Sequence, residues 1–196
     1  MMMLHFPARL VVLLGALWLS ACGMPPPPPD QLPPVRASEV AALARTILAL
    51  GPHVDPEEAA RAAEVSLTYP RKLAVAYEIT DPPYLHNIKV NQGKRPRGLC
   101  YQWADDMEAR LRQEQFRTLT LHRAIANSDN PLRIEHSTVI VSAAGDTMWE
   151  GIVLDPWRNG GILYWGPVLD DHKYPWKPRQ QVFDEKRRLS LATAAR

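Results

Sequence analysis

The apolar residues change period near residue 118, and that change restricts the fold more than any other feature of the chain. Before it they recur at helical spacing; after it they come in short runs parted by turn residues. Val40, Leu43, Ile47 and Leu50 follow Ser38, a candidate N-cap with Glu39 beside it, and Gly51-Pro52 ends that helix. A second helix starts behind Asp55-Pro56-Glu57-Glu58, where proline and acids suit the positive helix end, and is expected to reach Leu67. Pro70 should break or kink it, leaving a further stretch through Leu73, Val75 and Tyr77 that stops before Asp81-Pro82-Pro83. A loop over 81–99 then leads to a third helix, residues 100 to about 115, with Trp103, Ala104, Met107 and Leu111 on one face. Strands are expected at 118–126, 134–143, 148–154 and 161–168, separated by turn signals at 127–131, 145–146 and 159–161. The predicted class is α+β, with N-terminal helices packed on one face of an antiparallel sheet.

Residues 1–21 stand apart from this pattern. Arg9 precedes an apolar run over residues 10–19, too short for a helix that crosses a bilayer, which takes about 20 apolar residues. The segment reads as a secretory signal. At its end, Leu19-Ser20-Ala21-Cys22 resembles the lipobox of bacterial lipoproteins. That resemblance implies cleavage before Cys22 and a lipid on Cys22 that anchors the chain to a membrane. Gly23 in the next position resembles the pattern that sorts such proteins to the periplasmic face of the outer membrane. Residues 25–34 hold seven prolines, so 22–34 reads as an extended tether of about 3.1 Å per residue. One domain is expected over 35–183, with a tail over 184–196.

Composition removes several functions. A hydrophobic share of 46% is too high for a disordered chain. A formal charge of +2 without a basic block leaves nucleic-acid binding no electrostatic footprint. His5, His53, His86, His122, His136 and His172 are scattered, no His-Glu-x-x-His occurs and no cysteines are paired, so no metal is expected. No glycine-rich phosphate loop follows a strand, and no cofactor is expected.

What remains is a thiol. With Cys22 lipidated, Cys100 is a lone cysteine in an oxidising compartment, where a free thiol is a liability unless buried or used. A cysteine nucleophile needs a helix end or cation that favours the thiolate, an imidazole, a group to orient it, and donors for the oxyanion. Cys100 lies at the start of the third helix, and Gly98 just before it leaves room for a substrate backbone. His136 opens one strand and Asp155 is expected to end the next, so a hairpin sets them side by side. The Cys100 backbone N–H, helped by Gln92 or Asn91, is the candidate oxyanion donor; Trp157 and Trp165 are candidate walls of a cleft. Lys94, Arg95 and Arg97 form a basic stretch ahead of the thiol. Taken singly, an inert buried cysteine, a satisfied histidine and an Asp-Pro turn are the commoner readings of these residues. Together, in this order, they point to one site.

Gly98-Leu99-Cys100 with Ala104 on a helix, a strand beginning at His136 and a strand ending in Leu154-Asp155-Pro156 resemble the transglutaminase-like branch of the papain-like cysteine enzymes. The resemblance covers about residues 98–157. It implies a papain-like core and a Cys100–His136–Asp155 triad that hydrolyses or transfers amides through a thioester, on peptide or peptidoglycan-type substrates. The alternative is a non-catalytic lipoprotein that keeps such a fold as a scaffold for an envelope partner.

Overall fold

The computed structural model describes residues 31–194; the expected signal, Cys22 and the tether up to residue 30 lie outside the described residues. The elements are α1 (Ala37–Leu48), α2 (Pro56–Ala76), α3 (Pro83–Asn91), α4 (Cys100–Arg112), β1 (Leu119–Ala126), β2 (His136–Ala143), β3 (Ile152–Asn159), β4 (Ile162–Pro167), β5 (Trp176–Pro178) and α5 (Arg179–Ala194). The α+β class is as expected. The strands form one antiparallel sheet in the order β4-β3-β2-β1-β5.

Strand alternation sorts the apolar residues onto two faces. Val139 and Val141 of β2 and Ile152 and Leu154 of β3 share a core with Leu43 and Ile47 of α1, Ala63 and Leu67 of α2, and Trp103, Met107 and Leu111 of α4. Ile140, Val153 and Ala124 point to the other face. There they are covered by Met148, Val168, Tyr174 and Trp176, so the chain folds its own later segment over the side that the helices leave open.

Three local expectations are corrected. The helix expected to stop at Leu67 runs unbroken to Ala76 with Pro70 inside it. Ala62, Ala63, Ser66, Leu67, Leu73 and Ala74 are buried on both sides of the proline, and that burial outweighs a proline cost of about 3 kcal/mol. Within the expected loop, Pro82-Pro83 opens α3 instead of preventing helix, because proline suits a first turn. The run expected to be a strand from 148 begins as a single 3-10 turn, Met148–Glu150, and β3 continues through Asp155-Pro156 to Asn159. Pro156 has no N–H to give, and the pairing with β4 shifts register between Asp155 and Asn159. Residues 179–194 form α5, whose only buried residue is Val182. Just before it, β5 pairs with Ala124, Ile125 and Ala126 of β1.

Candidate active site

Cys100 is the first residue of α4, and the turn ahead of it is tied down. Gly98 and Leu99 donate their N–H groups to Gln102 Oε1 at 2.8 and 3.0 Å. Trp103 Nε1 donates to the Gly98 carbonyl at 3.0 Å, and His86 Nε2 meets the Arg97 carbonyl at 2.9 Å. Gly98 has φ +127°, and a Cβ there would lie 2.4 Å from His86 Nε2. Glycine is needed for this packing; the space expected for a substrate backbone is filled by His86. No described residue accepts a hydrogen bond from the Cys100 backbone N–H, which leaves it to serve an oxyanion at the positive helix end. Cys100 is 8% exposed. Sγ lies 3.5 Å from the Glu135 carbonyl oxygen and borders a cavity of about 330 Å³ lined also by Tyr101, Ile125, His136, Arg179 and Phe183.

His136 and Asp155 reach each other by register. Val139 of β2 faces Leu154 of β3, so the same register sets Thr138 opposite Asp155 and His136 on the same face, two residues along. His136 Nε2 meets Asp155 Oδ2 at 2.5 Å. Nδ1 has no hydrogen-bond partner and is the nitrogen left for the thiol. Burial works to lower the His136 pKa, but the Asp155 charge and hydrogen bond, and then the adjacent Cys100, outweigh it and raise the value from the ordinary 6.5 to about 9. Burial would push the Asp155 carboxyl up; His136 and then Arg158 overcome it and hold it below the ordinary 3.8. Trp157, Tyr174 and Trp176 surround the imidazole at 4.6, 4.5 and 5.3 Å between ring centroids, and aromatic faces favour a cation.

Several contributors escaped sequence reading. Arg158 donates from Nε to Asp155 Oδ2 at 3.1 Å and from its backbone N–H to Asp155 Oδ1 at 3.2 Å. Its two terminal nitrogens reach Asp171 Oδ1 and Oδ2 at 3.1 and 2.6 Å. Asp171 also accepts from Trp176 Nε1 at 2.9 Å. Asn87 Oδ1 accepts from Trp157 Nε1 at 3.2 Å, which fixes the indole against the histidine. The sole sequence signal for Arg158 was its place three residues after Asp155; Asp171 and Asn87 had none.

The structure brings together Cys100, His136, Asp155 and Trp157, and leaves two weaker candidates outside. Gln92 is exposed at the C-cap of α3 and does not line the Cys100 cavity. Trp165 faces Leu154 across β4 and borders a separate cavity with Val35, Leu67 and Arg71. In the basic stretch, Arg95 pairs with Glu78 at 3.3 Å and Arg97 with Asp106 of α4 at 2.9 Å, so those charges tie the loop to its neighbouring elements. Among the described residues no three His, Cys, Asp or Glu side chains are grouped to hold a metal ion, and no helix is long and apolar enough to cross a membrane. No protein-family model matches the chain, and neither a curated protein nor a solved structure does.

Proposed function

We propose that this chain is a cysteine-dependent amide hydrolase or acyltransferase with a transglutaminase-like, papain-like core, tethered through Cys22 to the periplasmic face of the outer membrane. The observation that carries the reading is the hydrogen bond of His136 Nε2 to Asp155 with Nδ1 left unpartnered beside a cysteine at a helix N-terminus. In the resting pair His136 holds the thiol proton. Cys100 Sγ attacks the amide carbonyl carbon, and the oxyanion takes a hydrogen bond from the Cys100 N–H. The imidazolium gives its proton to the leaving nitrogen, the C–N bond breaks, and a thioester and a free amine result. Neutral His136 then takes a proton from water or an amine, which attacks the thioester; the C–S bond breaks and the ion pair returns. Asp155 holds the ring throughout. Peptide and peptidoglycan stem amides both fit this chemistry.

The test is labelling by a peptidyl electrophile, such as an acyloxymethyl ketone, read by intact mass. Cys100→Ser should abolish labelling and His136→Gln should slow it by at least about a hundredfold, in line with the usual worth of a general base, with circular dichroism unchanged. Rapid labelling that survives the loss of His136 overturns the triad. The low exposure of Cys100 favours the competing reading, a binding scaffold; wild-type protein that stays unlabelled while folded would select it.

A further inference from the structure

The buried ion network behind His136 has one charge more than a triad needs. Side chains of Asp155, Arg158 and Asp171 are 1, 7 and 1% exposed. Two carboxylates and one guanidinium leave a surplus negative charge, and buried charge is tolerated only when paired. The chain His136–Asp155–Arg158–Asp171 is neutral when the imidazole carries its proton and anionic when it does not. Arg158 is held for this link: it lies 3.6 Å from the Tyr164 ring and 4.7 Å from the Tyr174 ring, and Asp171 is fixed by Trp176.

We propose that Asp171, acting through Arg158, is a positioning residue that keeps His136 in the imidazolium form required by the thiol reaction. The inference rests on the amide-chemistry reading of the same site. Asp155 alone would orient the ring, but a directly bonded Arg158 cancels much of its charge; Asp171 in turn cancels that of Arg158. The other groups facing the imidazole are Cys100 from α4 and Tyr174 from the segment before β5, with Tyr84 of α3 interacting with Tyr174. Glu135 is turned outward to Lys186 at 2.5 Å, and Arg133 and Lys173 lie over the Tyr174 ring at 5.9 and 5.7 Å. None of these replaces the charge on Asp171.

The measurement is an NMR titration of the His136 ring in the full folded domain, paired with the pH dependence of Cys100 alkylation. Asp171→Asn makes neutral histidine the balanced state, so the titration midpoint should fall by about one unit, a size set by unit charges a few ångströms apart in a protein interior. Arg158→Gln removes the intervening cation and should raise it by a similar amount. Arg158→Lys retains the charge without the two-pronged contact and should leave the midpoint close to wild type while slowing alkylation; it also serves as the folded control if the glutamine variant does not fold. Opposite shifts, with alkylation following each midpoint, support the proposal. An unmoved midpoint in Asp171→Asn overturns it, as does a moved midpoint that alkylation ignores. Failure of the amide-chemistry reading is separate: peptidyl labelling would then be indifferent to His136 whatever the titration shows.

Discussion

At the scale of single residues the pH response follows from His136. Its pKa is raised to about 9 from 6.5, so the contribution of the protonated ring to stability is complete below about 6.5 and is lost as pH rises through about 9. Asp155, held below 3.8, contributes above that value, and its share is lost as pH falls further. Wild type should therefore melt well above His136→Gln near pH 6, and the gap should close by pH 10; calorimetry across that range checks it. Thioester formation should decline over the same alkaline limb, because a neutral imidazole has no proton for the leaving amine. A limb that stays flat to pH 10 would show that another group supplies that proton.

At the scale of elements, the turn that delivers Cys100 is tightly constrained. Gly98→Ala places a Cβ against His86 and demands a backbone conformation that L side chains rarely adopt. The expected cost is about 3 kcal/mol, a melting point lower by about 6–12 °C. His86→Ala in the same chain should recover part of that loss and leave the conformational part, which a double-mutant cycle would separate. Cys100 and His136 were legible because each sits at a boundary that local signals mark, a glycine turn and a strand start; Asp155 was legible from its Asp-Pro step, although β3 runs on through it. Trp157 could be named for the same reason. The helix α3 was not legible, since only His86 and Asn87 of it are buried and its apolar residues carry no periodicity to read. Trp165 was misassigned because an aromatic strand residue gives no hint of which face it takes, and Gln92 because nearness along the chain to Cys100 says nothing of where the turn over 93–99 directs the side chain. Asp171 was invisible for a further reason: its buried ion pair with Arg158 joins a strand to a distant turn and leaves no local pattern.

At the scale of the molecule, the proposed anchor and the folded domain are separable. Cys22→Ser should move the protein from the membrane pellet to the soluble periplasmic fraction while leaving the melting point and thiol reactivity of the domain unchanged; unchanged fractionation would refute the lipid. The domain itself has a joint running through its site. Cys100 arrives on the helical layer, whereas His136 and Asp155 belong to the sheet, and the loop that braces them from behind, carrying Asp171 and Tyr174, is supplied by the last part of the chain. A chain whose sheet has not yet docked on the helices thus holds a cysteine with no imidazole beside it. On the proposed chemistry, competence comes only with the final docking of layers, and in refolding the reactive thiol should return with the slowest global phase and with no phase before it.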